Sequence, residues 1–469
     1  MLFFRNFRRL AGAGLLVAGA TTSAHAEDLF QVYELALKKD PQYLAGFYQH
    51  DASKEIYDQA LAVLLPKISF EYSRTDTDQT IKRSNNPVFN SENTSYPTDD
   101  MTLSITQSIY SYSNWAYFKQ AKEDVKRATA ELDAVHQDML LRVAERYFDV
   151  LAERESYSYI QAEVDSLQKH YELVSEKRLQ GLARITDELD AQARYLQAES
   201  RKVELGNQLR DALQGLQEVI GYVPEEIALA QEEIPLVSPN PESADAWVDQ
   251  AQGQNPTVVE KRQAVLVAAQ ETKRQQGGHY PTLDFVATMN NNDTQGSLFG
   301  GGSEVETTEM LVKLTVPIYS GGAVSSKVRE SVNLHLKAQE ELEQEWRTVK
   351  RETLAAYDGV VGAIIKVEAL QKSVDSYELA VDAKKTAYES GLTSSISVLD
   401  AERDLFFARS EYARARYDYL KNTLRLKRAV GALAEDDIRQ VNGLLENTQQ
   451  PVLKIGRQSS FSSELAGNQ

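Results

Sequence analysis

The residues best suited to chemistry in this chain are its histidines. Histidine binds metals and exchanges protons near neutral pH, but a metal site needs several ligands at a characteristic spacing. No two of the histidines have that spacing; they are His25, His50, His136, His170, His279 and His335. The chain also has no cysteine, which excludes disulfides and thiolate metal sites. We therefore predict no metal and no cofactor.

The carboxylates are numerous, but their placement is typical of solvated helix surfaces. Aspartate and glutamate number 69 against 51 lysines and arginines, and they lie in mixed-charge runs such as 337–351. The Gly-x-Ser-x-Gly, P-loop and dinucleotide-binding motifs are absent from the sequence. We therefore predict no catalytic residues and no enzyme. The net charge of −18 also disfavours nucleic-acid binding.

The first residues have the pattern of a secretory signal peptide. A basic stretch precedes an apolar run over 10–20, and the small-x-small sequence at 24–26 is typical of a cleavage site. The apolar run is too short to span a bilayer as a helix. We expect 1–26 to be removed, with Glu27 as the first mature residue and no transmembrane helix after it.

The chain is an internal duplication. Short motifs recur after 209 to 215 residues, in the same order in both halves. The recurring pairs are Asp40-Pro41 with Asn255-Pro256, Ser108-Ile109-Tyr110-Ser111 with Pro317-Ile318-Tyr319-Ser320, Gly181-Leu182 with Gly391-Leu392, Asp190-Ala191 with Asp400-Ala401, and Gly221 with Gly431.

Each half contains two segments in which apolar and polar residues alternate, as in amphipathic strands. The alternating apolar residues are Ile68, Phe70 and Tyr72; Met101, Leu103 and Ile105; Leu283, Phe285 and Met289; and Met310, Val312, Leu314 and Val316. The polar segments 76–100 and 290–308 are interpreted as exposed loops between paired strands. Aromatic residues near the strand ends fit either an interfacial girdle or packing of strands on helices.

Two helical segments are unusually long. Residues 113–180 contain neither proline nor glycine, and 323–390 are interrupted only by Gly359 and Gly362. Apolar residues in these segments, many of them alanine, are spaced alternately three and four residues apart. This period of 3.5 predicts left-handed coiled coils with closely packed helices.

Four strands cannot close a membrane barrel, because the smallest such barrels have about eight strands and an open edge is not tolerated in hydrocarbon. If the strands enter a membrane, several chains must contribute. Two chains would supply eight strands and three would supply twelve, and the pattern does not choose between them. A soluble periplasmic coiled-coil adaptor or scaffold is the alternative, but it leaves the amphipathic strands unexplained.

Several motifs resemble those of the TolC family of outer-membrane factors. They are the strand-to-helix junction at 317–322, the helix-turn-helix tips at 181–187 and 391–401, and the last tunnel helix with Ala415-Arg416-Tyr417-Asp418-Tyr419-Leu420 and Ala429-Val430-Gly431-Ala432-Leu433. The match extends over 28–438. It implies a mainly α fold with a β-barrel part: a homotrimer whose twelve strands form one barrel in the outer-membrane lipid and whose duplicated coiled-coil helices form a periplasmic α-barrel.

The resemblance also implies the function and the division of the chain. The protein would be an exit duct for small molecules or proteins, working with an inner-membrane pump or ABC transporter and a periplasmic adaptor (membrane fusion) protein. The expected parts are N-terminal helices at 27–65, a β-hairpin with an extracellular loop at 66–112, a helical hairpin at 113–221, a linker with an equatorial helix at 222–254, the repeated three parts at 255–280, 281–320 and 321–431, and a C-terminal equatorial segment with a flexible tail at 432–469.

A gate at the periplasmic mouth is the functional site that the resemblance implies. Thr186 and Asp187 on the first tip are expected to face Tyr388 on the second, with the tyrosine hydroxyl donating to the carboxylate. Asp400 matches one member of the family's aspartate ring at the constriction, where three copies would attract cations. Asp190, its duplicated equivalent, is expected to line the same mouth.

The sequence departs from the family pattern at two positions of this gate. Ser397 stands where the family has its second ring aspartate, and Thr393 stands where it has the latch arginine. We hypothesise that Arg184, three residues before Asp187, substitutes for that arginine from the opposite tip. The ring is therefore expected to be less negative than in the full family pattern.

Each gate residue has a plainer alternative role. Asp187 suits the first turn of a helix, where the helix dipole favours a carboxylate. Asp400 suits a solvated helix face, and Tyr388 suits packing in the coiled-coil seam.

The turns themselves are candidates for contact with the adaptor. In the family the tip surface receives the adaptor's helical hairpins. The corresponding residues here are Gly181, Leu182, Ser390, Gly391 and Leu392.

Overall fold

The computed structural model describes residues 27–83, 93–231, 233–297 and 301–451. The signal peptide predicted over 1–26 lies outside these ranges, as do parts of both loops predicted between the paired strands and residues 452–469. The first repeat consists of α1 (Leu29–Lys39), α2 (Pro41–Ala62), β1 (Lys67–Thr80), β2 (Asn93–Tyr110), α3 (Tyr112–Leu179) and α4 (Ile185–Ile220). After β3 (Glu226–Ala230), the second repeat follows the same order with α5 (Ala244–Gln254), α6 (Pro256–Gln276), β4 (Thr282–Thr294), β5 (Ser303–Thr315), α7 (Ala323–Glu389) and α8 (Ser395–Val430); α9 (Glu435–Asn442) and β6 (Leu445–Pro451) complete it.

The second helix of each repeat starts in the same way. The Asp40 carboxylate accepts hydrogen bonds from the backbone N–H groups of Gln42 and Tyr43, at 3.2 and 3.3 Å. Asn255 accepts from the second and third residues of α6 at 2.9 and 3.4 Å. In both cases proline takes the first helical position, where the missing N–H costs nothing. The duplication therefore preserved a complete helix start.

The long helices form two hairpins, α3 with α4 and α7 with α8, and α3 also packs on α8. With 68 residues, α3 extends over roughly 100 Å. The principal core surrounds the middle of α3, where α3 meets α1, β3 and the C-terminal parts of α4 and α8. There the rings of Phe148 and Tyr417 stack with centroids 5.9 Å apart. Among the described residues, no helix combines the length and the apolar character that a membrane crossing requires.

The four predicted strands form one antiparallel sheet in the order β1-β2-β4-β5. Its register aligns the apolar positions on one face, as in the row Phe70, Leu103, Met289. The neighbouring row, Glu71, Thr102 and Asn290, lies on the opposite face. In one chain β1 and β5 are both edge strands, so each has one row of unpaired backbone groups.

The strands are longer than the sequence indicated, so the predicted loops at 76–100 and 290–308 were wrong in extent. β1 ends at Thr80 and β2 begins at Asn93. β4 ends at Thr294 and β5 begins at Ser303. The outer ends are mostly polar on both faces, so alternation fails there although the backbone ladder continues. Hydrophobic patterning reports the surroundings of side chains and not the hydrogen bonding of the backbone.

The end of the described chain forms a further strand, because Leu445–Pro451 are β6, which pairs antiparallel with β3. Neither strand was predicted. β3 has only five residues, and its partner lies more than 200 residues away in the sequence. A pairing of that kind leaves almost no local signal. It joins the linker between the repeats to the end of the described chain.

Candidate gate at the helical tips

The turns at the two tips have the same geometry. Gly181 and Gly391 adopt φ of 76° and 73°, a left-handed conformation that residues with a Cβ rarely tolerate. At each tip the glycine N–H bonds to the carbonyl three residues earlier at 2.9 Å, and the following leucine N–H bonds five residues back at 2.8 Å. This pattern ends α3 and α7 and reverses the chain.

Apolar side chains are exposed at both turns. Leu182 is 74% exposed and Leu392 is 83% exposed. The Ser390 hydroxyl donates to the carbonyl of Thr386 at 2.9 Å, so its hydrogen bond is made to the last turn of α7. The two leucines therefore give the tips an apolar surface that one chain does not cover.

The first tip brings Arg184, Thr186 and Asp187 together. The Asp187 carboxylate accepts a hydrogen bond from the backbone N–H of Arg184 at 3.3 Å. It also accepts from the Arg184 guanidinium and from the Thr186 hydroxyl, each at 3.4 Å. Asp187 thus stabilises the start of α4, where a carboxylate interacts favourably with the helix dipole.

Tyr388 is not joined to the first tip in this chain. Its hydroxyl makes no hydrogen bond with any described residue, and the side chain is 41% exposed. On the same tip, Ser394 caps α8 by accepting from the backbone N–H of Ser397 at 3.4 Å. The Ser397 side chain is partly exposed in the first turn of α8. The hydrogen bond between Tyr388 and Asp187 therefore stays a prediction.

Asp190 and Asp400 are brought together, by a residue that sequence reasoning missed. Arg194 donates from Nε to Asp190 at 3.1 Å and from Nη1 to Asp400 at 2.6 Å. The hydrogen bond with Asp400 is the largest influence on the pKa of Arg194 and raises it. Burial lowers this pKa by less, and the hydrogen bond with Asp190 raises it again, so the pKa stays above its usual value. The four-residue spacing of Asp190 and Arg194 on a helix was a detectable signal. The contact with Asp400 was not, since it joins residues 206 positions apart.

On the tip side of the core, Ser166 of α3 donates to Glu402 of α8 at 2.9 Å and so joins the two hairpins. Lys385 of α7 pairs with the same carboxylate at 2.9 Å, within the second hairpin. Among the described residues there is no group of histidine, aspartate and glutamate side chains that could hold a metal ion.

Nearer the core, a row of ion pairs joins α8 to α3, and we call it the α3–α8 ladder. Basic side chains of α8 meet acidic side chains of α3 at 2.6 to 3.0 Å. The pairs are Arg414 with Glu153, Arg416 with Glu155, Lys421 with Asp149, Arg425 with Glu145, and Arg428 with Asp138. Burial lowers the pKa of Lys421, but its interactions with Asp149 and Asp418 outweigh burial. The pKa of Lys421 is therefore raised above its usual value.

The chain shares its sequence pattern and its fold with known proteins. The family model for outer membrane efflux proteins matches residues 32–222 and 247–432. The chain is 30% identical over 444 residues to the outer membrane protein TolC of Escherichia coli (strain K12), covering 92% of this chain and 88% of that protein. It is 28% identical over 438 residues to the alkaline protease secretion protein AprF of Pseudomonas aeruginosa, with coverage of 92% and 90%. The Campylobacter jejuni CmeC outer membrane channel superposes with a TM-score of 0.74 at 16% identity, covering 95% of this chain and 98% of that one.

Proposed function

The chain belongs to the outer membrane efflux protein family, and on that premise we propose that three copies assemble into one duct whose periplasmic mouth the helical tips control. The resemblance and the fold class predicted from the sequence are confirmed. The protein is an outer-membrane exit duct for efflux and secretion, with a large periplasmic helical part. We assign it no catalytic role.

The open four-stranded sheet is the observation that carries the assembly. Its apolar face is exposed: Phe70 on β1 is 67% exposed and Val312 on β5 is 60% exposed. Such a face suits lipid, but a sheet in lipid must leave no edge unpaired. Because the strands alternate in direction, β5 of one copy can pair antiparallel with β1 of the next. Three copies then close a barrel of twelve strands.

The helical part is consistent with the same assembly. α4 carries Leu189, Leu196 and Val203 at intervals of seven residues, and all three are exposed. α7 carries exposed Ile365 and Leu379, fourteen residues apart. Exposed apolar residues at heptad spacing are typical of an unfilled coiled-coil seam. A neighbouring copy would fill both seams and close the α-barrel.

The proposed partners are a periplasmic adaptor protein and an inner-membrane pump or ABC transporter. The exposed Leu182 and Leu392 lie at the turns most distant from the sheet along the helical hairpins, where an adaptor would dock. The name of the alkaline protease secretion relative supports proteins as one class of cargo, and the efflux family supports small molecules. A soluble adaptor is disfavoured by the exposed apolar face of the sheet.

In this proposal the tip residues close the mouth. Asp187 would accept a hydrogen bond from Tyr388 in the assembled duct, in addition to its bonds with Arg184. Asp400 and Asp190 would line the constriction, with Ser397 as the uncharged ring position. The support is the position of all these residues at the start of α4 and α8 or the end of α7.

The assembly is tested with the full chain extracted in detergent. We expect a mass of three chains, a heat-resistant trimer band and single channels in planar bilayers. Val312→Arg should abolish all three, because an arginine would face the hydrocarbon. Lys313→Arg, on the other face of the same strand, is the matched control and should retain them. A wild-type chain that is a monomer without detergent and forms no channel would contradict the proposal.

A further inference from the structure

Two carboxylates that correspond to each other in the duplication share one guanidinium. Asp190 and Asp400 are separated by 210 residues, and Arg194 of α4 donates to both. The position that corresponds to Arg194 in the second repeat is Asp404. The repeats therefore differ: the first supplies the shared cation, and the second supplies an additional acid.

The two hairpins are each braced near their tips. In the first, Glu188 of α4 accepts from Ser175 of α3 at 2.8 Å and pairs with Arg178. In the second, Lys385 of α7 pairs with Glu402 of α8 at 2.9 Å. Each hairpin can therefore move as one body, and a link from α4 to α8 resists their separation.

We infer that Arg194 is a clamp at the periplasmic mouth, which holds the second hairpin against the first and reduces the negative charge that Asp190 and Asp400 present to passing ions. This inference rests on the proposed duct. Arginine suits the role because its planar fork can bind two carboxylates at once, whereas a lysine is a single point charge. Arg403, at 3.8 Å from Asp400, lies closer to Asp404, at 2.9 Å.

The clamp is accessible to solvent and therefore breakable. The side chain of Arg194 is 29% exposed, and those of Asp400 and Asp190 are 36% and 48% exposed. Ion pairs in this range are weak singly and are screened by salt. Removing the clamp is therefore expected to shift the opening equilibrium only modestly.

The test is single-channel recording of the full-length trimer in planar bilayers. Arg194→Gln should raise the mean conductance about two- to fivefold, because a partly exposed pair shifts an equilibrium by about that factor. It should also raise the permeability of cations relative to anions, since both carboxylates lose the hydrogen bond from Arg194 that offsets their charge. Arg194→Lys should retain the selectivity of the wild type and show an intermediate conductance.

A second variant breaks the same link from the other side. Asp400→Asn should also raise the conductance, but it should lower the preference for cations. The double variant Arg194→Gln/Asp400→Asn should conduct no better than either single variant. The matched control is Arg409→Gln, which removes a pair with Glu378 inside the second hairpin and should leave conductance and selectivity at the wild-type values.

The outcomes separate the two claims. If the wild type forms channels and both Arg194→Gln and Asp400→Asn have the same conductance as the wild type, the clamp is overturned and the proposed duct is unaffected. An equal rise in Arg409→Gln would also overturn it, because general loosening would then explain the effect. If the wild-type protein forms no channel, the duct itself fails and the clamp fails with it.

Discussion

The two ends of α8 differ in how extensively they pack against the rest of the molecule. From Ala413 to Val430 the helix is buried on several sides, and the α3–α8 ladder runs alongside it. From Ser395 to Ala408 its buried residues form a narrow stripe of Leu399, Ala401, Leu405 and Ala408, while Phe407 is 66% exposed. Regions with few buried contacts open at low free-energy cost. The difference shows how one helix can be rigid at the core and movable at the mouth.

The largest effect is expected from removing a core aromatic. Tyr417 is fully buried, stacks on Phe148 and donates a hydrogen bond to Glu155. Tyr417→Ala should lower the free energy of unfolding by about 3–5 kcal/mol, because it leaves a cavity and removes one hydrogen bond from the Glu155 carboxylate. The measurement is denaturant unfolding of the detergent-solubilised protein. Leu392→Ala, at the exposed tip, is the control. An equal loss of unfolding free energy in that variant would contradict the difference in stability between the core and the tip.

A smaller effect is expected from the α3–α8 ladder. Arg416 is 5% exposed and donates to Glu155 at 3.0 Å and to the carbonyl of Gln231 at 2.9 Å. Arg416→Met should cost about 2–3 kcal/mol, since the mostly buried Glu155 carboxylate would lose its cationic partner. Arg409→Met breaks a more exposed pair near the tip and should cost less than about 1 kcal/mol. Similar losses in the two variants would mean that the ladder does not distinguish the ends of α8.

The pH dependence of the ladder is a third test. The pKa of Lys421 is raised in the folded protein above its ordinary value of 10.5. Its contribution is therefore complete below about pH 10.5 and is lost as the pH rises through the higher folded value. We expect the melting temperature of the wild type to exceed that of Lys421→Met at pH 8, and the gap to narrow above pH 11. A gap that is constant with pH would show that the lysine contributes by packing alone.

The smallest effect on stability is expected at the tips. Tyr388→Phe should leave the free energy of unfolding within about 0.5 kcal/mol of the wild type, because the hydroxyl has no partner among the described residues of its chain. Asp187→Ala should cost about 1 kcal/mol through the lost interactions at the start of α4. If the predicted latch forms in the trimer, both variants should raise the conductance. Unchanged conductance in both would count against the latch.

Much of the fold could be predicted because its causes lie close together in the sequence. The proline-led helix starts at Asp40 and Asn255, the left-handed glycines at 181 and 391, the alternating strands and the heptad seams all depend on neighbouring residues. The duplication repeated each of these signals and so strengthened it. The ends of the strands could not be predicted, because beyond the apolar zone the ladder is maintained by backbone groups that every residue possesses.

The sequence by itself determined the element order, the amphipathic sheet, the long helical hairpins and the family, since local conformation and periodic burial follow from residue types at short range. Only the tertiary structure decided that β6 pairs with β3, that Asp187 bonds within its own tip, and that Arg194 joins Asp190 to Asp400. The physical reason is that such contacts depend on the angle and distance at which two helices meet. A change of a few ångströms in that packing would give the same guanidinium a different partner.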